Sequence, residues 1–511
     1  EKTLGGNNIA VFAYYLSSPF NLLVVFFDQQ EFHSMFTLLV ALKLATAAAT
    51  FAIYLHGRFP AMKTGPLCCL SLCYALGQYS FAQASNIMWL DGVYMLPLIL
   101  LGTYRLVQNR RNKLLLILSV AASILFNWYS AGINCIFCIL YYIYEDALEN
   151  KFGSFGIYVR RALPFVACLA LGVLLSACLF LPALLALRGG RAGFDVLDII
   201  ALLGNYVGNM FSAVTNFRVG GTSEQGSVSL YCGYFAFIGM GAYFFTQAEK
   251  GRKRNASAVF LLFTVLLFYV SVFIFAFSLF KSAESYWYRY SYVGVFAMLN
   301  VSAKFYEKVG NEPIRMDTRL WWAIGLLLAV LCLGWGLESF PFVMLALGLT
   351  VLLVYVYGKT LPAASAVQEP VKEDPAALAE SAAGRRASAV RTPARKRQLA
   401  AAGACLLLAA GLLVELGFNA AALMRTYFSD SVGAFADYVT QQQAQVNALK
   451  EYDGGFYRVN QTDTFNKGYE GAGLTANYNE SIAYGYHSVN GYTSDPDNNS
   501  RFFLEKLGYR T

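Results

Sequence analysis

Stretches of about twenty apolar residues recur along most of this chain, each close to the length a helix needs to cross a bilayer core. Lipid offers the backbone no hydrogen-bond partners, so such stretches must cross as helices that satisfy their own polar groups. The composition agrees. Of the 511 residues 57% are hydrophobic and 14% charged, where soluble domains carry about 25% charged residues. Spans are expected near 34–55, 67–83, 88–107, 113–128, 130–145, 162–187, 228–247, 258–280, 286–303, 320–337, 339–357 and 399–419. Residues 9–27 are a further candidate, although the Pro-containing break in "YYLSSPFNLL" also suits a segment lying in the interface. The expected fold is an all-α polytopic bundle of twelve or thirteen transmembrane helices.

Charge then orients the bundle. Basic clusters occur at Arg105/Arg110/Arg111/Lys113, Lys151/Arg160/Arg161, Lys250/Arg252/Lys253/Arg254, Lys304/Lys308/Arg315/Arg319, and Arg385/Arg386 with Arg395/Lys396/Arg397. Alternating the spans puts all of them on one face, which the positive-inside rule makes cytoplasmic. Residues 1–359 then form a transmembrane core, 360–398 a disordered Ala/Pro/charge-rich cytoplasmic loop, 399–419 the last span and 420–511 an extracytoplasmic segment. In that segment "AFADYVTQQQAQVNALK" reads as a helix, and the Tyr/Asn/Gly-rich remainder as the start of a β-containing domain. The missing start Met and the unfinished tail predict truncation at both ends.

Cysteine and histidine chemistry is thin. The ten cysteines lie in or beside apolar runs, and Cys135-x-x-Cys138 sits within an expected span, where small packing residues explain it. Three scattered histidines offer no zinc constellation.

The motifs "GGNNIAVFAYYLSSPFNLL", "MWLDGVYMLPLILLGTYRLV", "NWYSAGINCIFCILYYIY", "YCGYFAFIGMGAYFF" and "YWYRYSYVGVF" occur in this order. Together they resemble the bacterial YfhO family of membrane proteins, over most of residues 5–360 and weakly in the tail. The resemblance implies a GT-C-type glycosyltransferase of the cell envelope. Such an enzyme takes a sugar from a polyprenyl-phosphate donor to an envelope glycopolymer, such as teichoic acid, at the extracytoplasmic face. Membrane lipids are the other expected partners, and nucleic acid is not among them. In that pattern a catalytic acid follows a first span that would lie upstream of Glu1, so the base cannot be carried over from it.

Transfer of this kind needs a carboxylate to deprotonate the acceptor and positive charge or a metal at the departing phosphate. Acids on the outer face are Asp28, Glu31, Asp91, Asp195, Asp198, Glu224 and Glu284. Asp91 matches the family's Trp-Leu-Asp motif and falls at the outer end of its helix, within reach of substrate. It reads either as catalytic or as a helix-end acid steadied by the dipole. Asp195 and Asp198, at i and i+3, could hold a divalent metal (Mg or Mn) or acceptor, or form a solvated face. Arg289, in "YWYRYSY", suits bidentate phosphate binding or a snorkelling belt position. Lys43 lies mid-span and reads as a second phosphate contact or half of a buried ion pair. The rival readings are a lipid or solute transporter, such as a flippase, and a non-catalytic envelope scaffold.

Overall fold

The computed structural model describes residues 8–150, 154–187, 216–222, 227–245, 249–280, 285–309, 383–427, 432–452, 455, 457–459, 480–488 and 498–508, with residues 348 and 351. Its longer helices are α1 Phe32–Arg58, α2 Thr64–Ala75, α3 Leu90–Gln108, α4 Leu114–Phe126, α5 Trp128–Glu149 and α6 Phe155–Leu175. They continue with α7 Ala177–Leu187, α8 Tyr234–Phe245, α9 Arg252–Leu266, α10 Ser291–Val309, α11 Ala383–Tyr427 and α12 Val432–Tyr452. Among the described residues five helical stretches are long and apolar enough to cross a membrane: Gln29–Arg58, Ile87–Gln108, Trp128–Glu149, Phe155–Leu175 and Ala402–Arg425.

Several expected spans are broken. The 162–187 span divides at Ser176 into α6 and α7, and the 258–280 span into α9 and Ser271–Phe277. The 67–83 span divides at Gly77, where the Gln78 amide leaves the helix to bond the Tyr231 carbonyl at 2.7 Å. Residues 9–27 form Ile9–Leu16 and Pro19–Phe26, bent by 87° at Ser17–Ser18. That elbow matches the Pro-containing break, because Pro19 lacks the amide a continuous helix needs. Residues 320–337 and 339–357 lie almost wholly outside the described residues.

One expectation is corrected and another finds no support among the described residues. Helix α11 begins at Ala383, inside the loop expected to lack structure to 398, because Ala and Arg there are strong helix formers. The tail is helical at α12, as expected. Beyond it, the described residues hold the short helices Glu480–Tyr484 and Asn498–Lys506 and one isolated bridge, Val459 with Ser488, and no strand. Residues 460–479 and 489–497, which hold most of the alternating stretch, lie outside the described residues.

The bundle is built around α1, α3, α5 and α10. Small residues let the backbones approach. A Cβ on Gly92 would lie 2.6 Å from that of Ser130, and one on Gly102 2.7 Å from the Leu116 backbone. Buried tyrosines tie the helices through their hydroxyls. Tyr54 meets Tyr141 and Asn300, each at 2.7 Å, and Tyr292 donates to Asn134 at 2.7 Å. The outward faces of α6, α7 and the apolar part of α11 carry exposed Leu, Val and Phe, as a lipid-facing surface requires.

The two ends of the bundle differ chemically. One is basic: Arg58 pairs with Glu145, Arg161 with Asp146 and Lys304 with Glu249, and Arg252 donates to the Asn150 and Leu148 carbonyls. Burial works to raise the Glu249 carboxyl, but the Lys304 ammonium and the Tyr243 hydroxyl outweigh it and hold the group below its ordinary range. The other end gathers the elbow, the Ile87–Trp89 turn, Trp128, Tyr129 and the residues before α10. The tail docks here: Gln29 donates to the Ala483 carbonyl at 2.7 Å and accepts from Gln443 at 2.6 Å.

Candidate functional site

Lys43 stands in the middle of α1, where an unpaired ammonium would be costly, and Asp91 in the first turn of α3. The two meet. Lys43 Nζ lies 2.9 Å from Asp91 Oδ1 and 3.0 Å from Oδ2, with both side chains 1% exposed. The ammonium also donates to the Ile87 carbonyl at 3.0 Å, which fixes the turn leading into α3. Of the two readings of Lys43, the structure places it in a buried ion pair. The expectation that substrate reaches Asp91 directly is corrected: the carboxylate is covered.

Its cover is the elbow. Ser18 Oγ donates to Asp91 Oδ1 at 2.8 Å. Ser18 occupies the N-cap position of Pro19–Phe26, where a serine ordinarily accepts from its own helix, yet it makes no such bond. The elbow is tied down elsewhere too. Ser17 Oγ donates to the Phe126 carbonyl at 3.0 Å, and the Asn127 amide donates to the Tyr14 carbonyl at 2.8 Å. Phe20 packs edge-on against Tyr94, with centroids 5.6 Å apart.

Arg289 borders the same ground. Its guanidinium lies 5.3 Å from the Trp89 ring and 5.3 Å from the Tyr129 ring. Nε donates to the Tyr286 carbonyl at 3.0 Å and Nη2 to the Ser285 carbonyl at 2.6 Å, while Tyr79 holds the Arg289 carbonyl at 2.6 Å. No carboxylate among the described residues pairs with it. Trp89 links the two centres: it precedes Asp91 by two residues, and its indole N–H donates to the Tyr14 hydroxyl at 2.8 Å.

The arrangement therefore holds a half-buried guanidinium, without a carboxylate partner among the described residues, between two aromatic rings. Beside it lies a sealed carboxylate that already receives a hydroxyl. A guanidinium so placed can bind a phosphate, and a carboxylate so placed can take a hydroxyl proton. Asp195 and Asp198 lie outside the described residues, as do Glu224 and Glu284. Among the described residues no group of three or more His, Cys, Asp or Glu is placed to hold a metal ion.

Sequence reasoning missed Ser18, Tyr14 and Trp89 as parts of this site, since none carries a charge that hydropathy flags. It also passed over Glu415, an acid within the last span, for which the intramembrane carboxylate was itself the signal. Glu415 Oε1 accepts from the Tyr231 hydroxyl at 2.5 Å and the Tyr234 amide at 2.8 Å. One turn on, Asn419 accepts from the Gly220 amide at 2.9 Å, so α11 grips both ends of the 216–234 region.

The family profile described as bacterial membrane protein YfhO matches residues 1–511. No curated protein matches the chain. A solved structure similar to it is ArnT from Cupriavidus metallidurans bound to undecaprenyl phosphate, at 14% identity and a TM-score of 0.36. The likeness covers 76% of this chain and 62% of ArnT. The chain belongs to the YfhO family and is a multi-pass membrane protein.

Proposed function

We propose that this YfhO-family protein is a membrane glycosyltransferase that moves a sugar from a polyprenyl-phosphate donor to a cell-envelope glycopolymer, such as teichoic acid. The work is done at the aromatic end of the bundle. The basic clusters make the opposite end cytoplasmic, so the site opens outside the cell. The observation that carries this reading is Arg289. A half-buried cation without an acid partner among the described residues invites an anion, and its neighbours are apolar rings suited to a lipid-borne one. Lys43 is already neutralised by Asp91, so the phosphate role falls to Arg289, and Lys43 tunes the carboxylate instead. Asp91 takes the acceptor proton.

The test is transfer of labelled sugar from a polyprenyl-phosphate donor by the purified chain. An Arg289→Ala variant should use the donor roughly 10- to 150-fold less well, the equivalent of ~1.5–3 kcal/mol of charge-assisted hydrogen bonding. Unchanged donor use would remove Arg289 from the site. The transporter reading draws on the same buried pair. It would be favoured by vesicles that move labelled undecaprenyl phosphate across the bilayer without any sugar transfer.

A further inference from the structure

We propose that the elbow Ile9–Phe26 is a lid over an acceptor-hydroxyl subsite on Asp91, and that Ser18 holds there the place the acceptor hydroxyl takes. The proposal rests on the glycosyltransferase reading and adds to it the location and closure of the acceptor subsite. The Ser18–Asp91 contact has the geometry of an alcohol engaged with a general base, an aliphatic O–H donated to a carboxylate at 2.8 Å. Ser18 makes this bond in place of the cap bond its position offers, across 73 residues of sequence. A second observation points to a ligand. Tyr94, one turn along α3 from Asp91, is buried and its hydroxyl has no hydrogen-bond partner. That hydroxyl lies close enough to interact with Asp91 and Ser18. It approaches the carboxylate without completing a hydrogen bond, and an acceptor hydroxyl replacing Ser18 would complete one.

The lid has the parts it needs. Its hinge is the 87° bend at Ser17–Ser18, and its outer arm presents Leu22, Val25 and Phe26 at 71, 75 and 76% exposure, a surface for lipid. Its inner arm carries Tyr14, whose hydroxyl holds the Trp89 wall of the Arg289 cage. A phosphate arriving at Arg289 displaces that wall, loosens Tyr14 and frees Ser18. Donor binding thereby opens the acceptor subsite, and the carboxylate stays covered until a donor is present. In the step itself the acceptor oxygen bonds to the sugar's anomeric carbon and its proton passes to Asp91. The carbon–oxygen bond to phosphate breaks, and its electron pair leaves with the phosphate.

The experiment uses the full chain carrying Ser18→Cys in lipid nanodiscs, with undecaprenyl phosphate as the probe and its binding measured separately. A water-soluble thiol reagent should label Cys at position 18 slowly without the lipid and at least tenfold faster with it, above the background of the unsubstituted chain. The acceleration should vanish in Arg289→Ala. Rapid labelling without lipid, or lipid binding that leaves the rate unchanged, overturns the lid while leaving the donor reading intact. Absence of lipid binding overturns the donor reading, and the lid falls with it. Should the cysteine variant fold poorly, hydrogen–deuterium exchange of residues 9–26 in the unsubstituted chain tests the same opening. Exchange there must rise when undecaprenyl phosphate binds, and no rise overturns the proposal.

Discussion

Helix α1 carries two ion pairs that look alike and are built differently. Lys43 and Arg58 are 15 residues apart, about 22 Å along the helix at 1.5 Å per residue. Each meets an acid on a neighbouring helix whose carboxylate is fully or nearly buried, Asp91 and Glu145. At the basic end the pair is closed: Arg58 Nε and Nη2 each bond one Glu145 oxygen at 3.1 Å, with the Phe59 and Tyr104 rings 5.0 and 4.4 Å away. Both partners there belong to the packed bundle. At the aromatic end a lysine, a point charge without a fork, leaves Asp91 capacity to accept a second donor. That donor comes from the bent elbow rather than from a spanning helix. One pair is a clasp within the bundle, and the other is a carboxylate that the elbow covers.

The largest effect that separates them is expected at Asp91. Asp91→Asn should lower turnover by roughly 10²- to 10⁴-fold, the usual contribution of a general base, in the labelled-sugar assay. It should also lower the melting temperature, because Lys43 is left buried without a counter-charge. Stability would have been spared had Asp91 been exposed. Glu145→Ala comes next. Stranding Arg58 should destabilise the protein by about 3–5 kcal/mol in thermal unfolding, while turnover per folded molecule stays within about twofold.

Paired replacements sharpen the contrast, since a buried ion pair exchanged for apolar residues of similar volume is often neutral for stability. Arg58→Met with Glu145→Leu should keep both melting temperature and turnover, whereas Lys43→Met with Asp91→Leu should keep only the first. Recovered turnover in the second double variant would break the comparison and remove Asp91 from the chemistry. A smaller effect is expected at the cage: Arg289→Lys should regain only part of the donor use that Arg289→Ala loses, because an ammonium cannot reproduce the planar fork. Equal donor use by Lys and Arg would mean that charge alone matters there. Least of all, Gln443→Ala should weaken tail docking on Gln29 by about 0.5–1.5 kcal/mol, read as faster amide exchange in α12. Unchanged exchange would show that packing, not this bond, seats the tail.

Much of the architecture was legible beforehand because lipid reduces it to two local properties, apolar length and flanking charge. The α1, α3 and α5 spans were expected within a few residues of their ends, and Pro19 marked the elbow. The breaks at Gly77 and Ser176 were not legible. Hydropathy continues through them, and only contacts from other segments, such as Tyr231 on Gln78, satisfy the backbone groups they free. Lys43, Asp91 and Arg289 stood out as charges in apolar surroundings, and the fold brings them to one neighbourhood. Ser18 and Tyr14 did not, because a hydroxyl beside apolar residues carries no such mark.

The sequence by itself determined that this chain crosses a membrane many times, which end of the bundle is basic, and which charged residues lie within the apolar stretches. Each of these follows from the chemistry of neighbouring residues and needs no knowledge of packing. Tertiary structure alone decided what those charges meet. Lys43 and Asp91 are 48 residues apart, Ser18 and Asp91 73, and Arg289 reaches its cage from the far side of the bundle's sequence. A buried charge must find a partner, but which partner depends on how helices cross, and so on side chains far from it along the chain.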